Sequence, residues 1–215
     1  MGRVRVYIAS SLDGFIAGAH DDISWLEAPR PDWAPMAAGS WAEEPPRALG
    51  FEEFMAHVGA MVMGRRTYDV VSAIEGPWAY GETPVLVATG RPLDSAHRSV
   101  TSASAPIANL LDEARRLAGG KDVYLDGGSV IRQALDAGLI DEMTVTLHPT
   151  VLGTGRALFA GAEHRHPITV TDVRRYGDGM VQLTLEPARE PRDESPVPQD
   201  GGPADASGEL PNGLA

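Results

Sequence analysis

The sequence predicts an α/β protein: a mostly parallel sheet, helices on both faces, and an antiparallel strand or hairpin at its C-terminal end. Three observations carry this expectation. Apolar, β-branched runs alternate with helical periodicity from Val4 to Leu135. Two of those runs end in glycine and lead straight into helix-compatible segments, M-G-R-R-T-Y-D at 63–69 and L-D-G-G-S-V-I at 125–131. From Asp141 onward the pattern turns β-rich, without further helices.

Val4, Val6 and Ile8 alternate with polar neighbours and read as the first strand, followed by a loop with Gly14 and Gly18. Residues 20–48 lack periodicity and hold three of the four tryptophans, Trp25, Trp33 and Trp41; so long a connection is usually a functional lid or an insertion. Phe51, Phe54, Met55 and Val58 fall at i, i+3, i+4 and i+7, one apolar stripe of a helix. Met61–Met63 is a strand, Thr67–Ile74 the helix after Gly64, Pro84–Ala88 a buried strand, and Val100–Thr101 a weak edge strand. Ile107, Leu110, Leu111, Ala114 and Leu117 mark a helix ended by Gly119 and Gly120. Val123–Leu125 is a strand, with a helix over Val130, Ile131, Ala134 and Leu135 behind it. Met143–Leu147, the stretch around Ile168–Val173, and Val181–Leu185 complete the strands. Residues 1–187 form one domain; residues 188–215, with six acids, two bases and many Pro and Gly, are expected to be disordered.

The net charge of −12, from 18 basic and 30 acidic residues, argues against nucleic acid or an anionic membrane as partner. The absence of cysteine excludes disulfides, thiolate zinc sites and thiol nucleophiles, and no metal-ligand spacing is visible. With no signal segment and no apolar stretch of membrane-spanning length, the cytoplasm is the expected location.

A strand that ends in glycine and opens a helix presents free backbone N–H groups and a positive dipole end, which suits phosphate. Two such junctions about sixty residues apart suggest a ligand with phosphates at more than one point, such as a dinucleotide. The plainer reading is that each turn needs glycine for a positive φ.

Four segments together resemble the dihydrofolate reductase-like superfamily: S-L-D-G-F-I-A-G at 11–18, M-G-R-R-T-Y-D at 63–69, L-D-G-G-S-V-I at 125–131, and H-P-T-V-L-G-T-G-R-A-L-F at 148–159. The nearer likeness is to the C-terminal reductase domain of the riboflavin-biosynthesis deaminase–reductase, and it covers residues 4–186. The resemblance implies a three-layer sandwich with a central sheet of about eight strands, binding NADPH in an extended form across the strand C-termini. It implies that Ala9 bonds the nicotinamide carboxamide through its backbone, with Ile16 and Ile131 beside the ring. Gly64, Arg65, Arg66 and Thr67 would form the first phosphate-binding helix start, and Gly127, Gly128, Ser129 and Val130 the second. Thr89, Gly90 and Arg91 would meet the adenine ribose and its 2′-phosphate; Arg65, Arg66 and Arg91 favour NADP over NAD because a 2′-phosphate needs cations. A homodimer is also implied.

The sequence departs from this family at two places. Asp126 precedes Gly127 where dihydrofolate reductases proper carry glycine and riboflavin reductases often an acid; so close to a pyrophosphate, a carboxylate repels unless turned away or hydrogen-bonded. The loop V-V-S-A-I-E-G-P-W at 70–78 lacks the Asn-Pro element usual in riboflavin reductases. The zinc deaminase half is absent, since its signature requires cysteine.

Reduction of C=N or C=O needs a proton as well as a hydride. Asp13, beside the expected nicotinamide site, and Glu53, which with Glu52 lies on the helix at the place of the folate-binding carboxylate, are the candidate acids. Trp25, Phe54 and Tyr68 are the candidates for substrate stacking. The leading expectation is an NADPH-dependent reductase of a small heterocyclic or carbonyl compound, pterin- or pyrimidine-like. The alternatives are a 5-amino-6-ribosylaminouracil phosphate reductase and a nucleotide-binding module without turnover.

Overall fold

The computed structural model describes residues 2–27, 47–175 and 179–188. Trp33, Trp41, residues 176–178 of the expected final turn, and nearly all of the tail lie outside the described residues. In chain order the elements are β1 (Val4–Ser11), β2 (Phe15–Ala17), α1 (Phe51–Met55), β3 (Val58–Gly64), α2 (Arg65–Ser72), β4 (Val85–Ala88), β5 (Val100–Ala103), α3 (Ile107–Leu117), β6 (Asp122–Asp126), α4 (Gly128–Asp136), β7 (Glu142–His148), β8 (Arg156–Ala157), β9 (Ile168–Arg175) and β10 (Val181–Pro187).

Eight strands form one sheet in the order β5-β4-β3-β6-β1-β7-β10-β9. Every pair from β5 to β7 is parallel, while β10 runs antiparallel to both β7 and β9. This is the expected mostly parallel sheet with an antiparallel strand near its C-terminal edge. From β3 the chain winds outward through β4 and β5, then returns to insert β6 between β3 and β1 before continuing to β7. That reversal leaves a crevice at the carboxyl ends of β3, β6 and β1, where open α/β sheets bind ligands.

Alternation along the strands supplies two cores. Val62, Leu125 and Val145 face α3 and α4, meeting Leu110, Leu111, Ile131 and Leu135. Met61, Met63, Val85 and Tyr124 face the other side, meeting Phe54 of α1 and Tyr68 of α2. At the amino ends of the strands, away from the crevice, Glu142 accepts hydrogen bonds from Arg3 at 2.8 Å and Arg5 at 2.7 Å.

Two elements differ from expectation. The helix read through Val58 stops at Met55, and Val58 instead opens β3, paired with Asp122. Val58 is buried in either arrangement, so its helical spacing from Phe51 was not diagnostic. Gly59 also draws the chain onto the end of α3: a Cβ there would lie 2.3 Å from the Ala118 carbonyl oxygen. The second difference is that part of the 11–18 loop is a short strand. Phe15 and Ala17 of β2 pair with Ala157 and Arg156 of β8, joining two segments of the sequence pattern into one small sheet. No helix among the described residues is long and apolar enough to cross a membrane.

Candidate active site

A cavity of about 760 Å³ runs across the carboxyl ends of β1, β3, β4 and β6. Its wall includes both glycine junctions: Gly64, Arg65, Arg66 and Thr67 at the start of α2, and Gly127, Gly128, Ser129 and Val130 at the start of α4. Ala9 and Ile16 line the same cavity. The structure therefore gathers ten of the fourteen expected cofactor residues around one space.

The two junctions use glycine for different reasons. Gly64 has φ −71° and ψ 154°, a conformation open to any residue, and a Cβ there would meet nothing nearer than Val130 Cγ1 at 4.0 Å. Its bareness leaves the cavity side of the α2 N-terminus open. Gly127 has φ +98°, and a Cβ there would lie 2.2 Å from Thr67 Oγ1. Here the backbone itself requires glycine, and the two helix starts touch through it. At Gly128 a Cβ would come within 2.9 Å of the Ala157 carbonyl oxygen, so the β8 segment closes tightly over the second junction. Arg132, which the sequence reading passed over, fastens that segment by donating to the carbonyls of Ala157 at 2.9 Å and Leu158 at 3.1 Å.

Four expected cofactor residues stand elsewhere. Ile131 is fully buried in the core beneath α4, facing away from the cavity. Thr89 and Gly90 shape the turn after β4, where the Thr89 hydroxyl accepts the Arg91 amide at 3.0 Å. Arg91 lines a neighbouring groove, which Arg66 also reaches. Arg65, although it lines the cavity, is committed to Asp69 at 2.7 Å and to the Pro92 carbonyl at 2.9 Å.

The acids also change roles. Asp13 accepts the Ser11 hydroxyl at 2.6 Å and the amides of Gly153 and Leu152 at 2.7 and 3.1 Å. The Ser11 hydrogen bond first, then the two amides, pull its pKa down to about 2. A carboxyl so held is ionised at neutral pH and clamps the two loops together. Glu53 is exposed on α1, paired at 3.3 Å with Arg47. Neither lines the cavity.

Nor do the three aromatic candidates. Phe54 is fully buried between Tyr7 and Tyr124, under the Arg5 guanidinium at 5.0 Å. Tyr68 is buried with its hydroxyl on Ser95 Oγ at 2.9 Å. Trp25 is buried edge-on against the His148 ring at 5.0 Å, although its neighbours Ile23 and Leu26 do line the cavity.

Asp126, which sequence alone presents as a liability, stands with Asp21 in the wall of the cavity. It ends β6 beside Met63 of β3, and strand alternation puts it on the same face as Tyr124. The Tyr80 hydroxyl donates to it at 3.3 Å. Tyr124, whose hydroxyl donates to the Tyr7 carbonyl at 2.8 Å, also lies against it. Burial lifts its pKa to about 6, while the neighbouring Tyr80 and Tyr124 hydroxyls and the Gly127 amide pull it back. Turned toward the aromatic face and hydrogen-bonded, Asp126 does not confront a phosphate at the helix starts.

Comparison with known proteins agrees with this architecture. The sequence pattern of the RibD C-terminal domain matches residues 3–182. The uncharacterized protein YyaP of Bacillus subtilis is 27% identical over 191 residues, covering 84% of this chain and 93% of YyaP. A putative riboflavin biosynthesis protein from Shewanella sp. PV-4 superposes with a TM-score of 0.71 at 29% identity, over 87% of this chain and 99% of that one. Acinetobacter baumannii RibD shares the fold, with a TM-score of 0.59 at 21% identity over 87% of this chain and 58% of that one.

Proposed function

We propose, because the chain belongs to the RibD C-terminal domain family, that it is an NADPH-dependent reductase of a small heterocyclic or carbonyl substrate. The observation that carries this reading is the single cavity shared by both glycine junctions and Asp126. Its volume, about 760 Å³, is of the size that cofactor sites have, and its length follows two helix N-termini, as an extended dinucleotide requires. Bound there, NADPH would supply the hydride.

The chain's own residues have four tasks. The open N–H groups after Gly64 and Gly127, with Arg66, hold the pyrophosphate. Arg66 and Arg91, which share the adjoining groove, receive the 2′-phosphate. Ala9 and Ile16 would hold the nicotinamide end, and the Arg132-fastened β8 segment would shield it from water. Asp126 provides the proton. In reduction of a C=N or C=O bond, the Asp126 carboxyl O–H would give its proton to the nitrogen or oxygen. A pKa of about 6 suits this, since about one-tenth of the residue is protonated at pH 7 and it regains a proton readily from solvent.

Within this class, membership of the family supports reduction of 5-amino-6-ribosylaminouracil phosphate as the specific reaction. Oxidation of NADPH, followed by its absorbance in the presence of dihydropterins, dihydrofolate and the pyrimidine phosphate, tests both statements. Turnover with any of these acceptors is expected. NADPH binding without oxidation across the whole panel would instead favour a nucleotide-binding module without turnover.

A further inference from the structure

Asp21 places a negative charge among cations that a phosphate would use. Its carboxylate lies 3.0 Å from Arg66 Nη1 and 2.9 Å from Arg156 Nε. Arg66 belongs to the first turn of α2 and Arg156 to β8, so three distant segments converge on this one carboxylate. The Arg156 hydrogen bond foremost, and Arg66 after it, keep the Asp21 carboxyl below the ordinary carboxylate range, so it is ionised. Asp21 lines both the main cavity and the groove that Arg91 reaches, which puts its charge at the junction between them.

The backbone there is unfavourable. His20 has φ 58° and Asp21 φ 64°, two consecutive non-glycine residues in the left-handed region. Such a pair persists only where its surroundings hold it. The two ion pairs do so, together with the Gly18 amide on the Asp22 carbonyl at 2.7 Å and the Asp22 amide on the Ala19 carbonyl at 3.2 Å.

We infer that Asp21 is a built-in counter-ion for the phosphate-binding arginines, displaced by the pyrophosphate of the incoming ligand. The inference rests on the cofactor reading above for the ligand's chemical class. A pyrophosphate carries more charge than a carboxylate and can also accept the N–H groups after Gly64 and Gly127, which Asp21 does not reach. A carboxylate left in contact with the same guanidinium groups would repel it. Exchange therefore replaces two ion pairs by stronger ones and frees the 19–22 turn from its left-handed conformation. Until then Asp21 keeps Arg66 and Arg156 gathered at the cavity mouth, at the cost of some affinity.

The probe is inorganic pyrophosphate, titrated calorimetrically into the wild type and Asp21→Asn. Asparagine keeps the size and tolerates a left-handed backbone, so only the charge is removed. Asp21→Asn is expected to bind pyrophosphate about tenfold more tightly, a factor of about three for each partly exposed ion pair. In the wild type, pyrophosphate is expected to speed hydrogen exchange at the Gly18 and Asp22 amides. Unchanged or weaker binding by folded Asp21→Asn would overturn the inference, making Asp21 a holder of the arginines. So would slowed or unaltered exchange at those amides, or no pyrophosphate binding by either protein. Pyrophosphate binding without NADPH binding would count against the cofactor reading and leave the counter-ion standing.

Discussion

Gly64→Asp is expected to weaken NADPH binding by about 100-fold while leaving the fold intact or slightly more stable. Gly64 caps α2 from φ −71° and ψ 154°, ordinary extended backbone, and no side chain satisfies the first amides of that helix. Aspartate is among the favoured residues at such a position, because its carboxylate accepts those amides. The space is present, since the nearest atom to a new Cβ is Val130 Cγ1 at 4.0 Å. The variant would therefore carry its own anion in the seat proposed for the pyrophosphate, and bound phosphate would meet both a filled site and a like charge. Calorimetry for affinity and a thermal melt for stability together check this. Undiminished affinity would contradict the phosphate assignment. Gly127→Ala provides the opposite signature: with φ +98° and Thr67 Oγ1 only 2.2 Å from the new Cβ, it is expected to lose about 1–3 kcal/mol of stability.

Asp126→Asn is expected to lower turnover by about 10²- to 10⁴-fold, with NADPH affinity retained, and to raise thermal stability at neutral pH. The folded carboxyl has its pKa raised from the model-compound 3.8 to about 6 by burial. The folded state thus holds more protons than the unfolded state between those values, and stability falls as pH rises through that window. Above pH 6 the ionised, buried carboxylate leaves a constant penalty on the order of 3 kcal/mol, which a neutral amide removes. The chemical step in the wild type is correspondingly expected to fall as pH rises above about 6, as the acid form is depleted. A residue kept for structure would behave in reverse, with stability lost and turnover kept. That result would return the search for the acid to the rest of the cavity.

Much of the architecture was legible because parallel strands announce themselves. Val123–Leu125 and Met61–Met63 are apolar runs too short for helices, each closed by glycine and followed by helical spacing. Their pairing with each other through β6 and β3 is a tertiary fact, yet the two glycine junctions already placed the cavity's two poles. The acids were not legible, for a physical reason. A carboxylate before a loop glycine looks the same whether it faces a ligand or clamps distant amides; Asp13 meets Leu152 and Gly153, nearly 140 residues away. Asp126 shows the converse. Adjacency to Gly127 reads as repulsion of a phosphate, and only the direction of the side chain, with Tyr124 on the aromatic face, turns it into a usable acid. The spacing Tyr124-x-Asp126 within a strand was the available signal, since residues two apart share a face. Phe54 and Tyr68 illustrate the ordinary limit: buried aromatics that support a site and aromatics that line it carry the same sequence pattern.

One cavity, built from two glycine-opened helices and bordered by arginines, is expected to hold NADPH. Calorimetric titration of the wild-type chain with NADPH and with NADH tests it most directly. Saturable NADPH binding, about tenfold or more tighter than NADH through Arg66 and Arg91, is the predicted result. Absence of heat and of saturation with both nucleotides at millimolar concentration would contradict it.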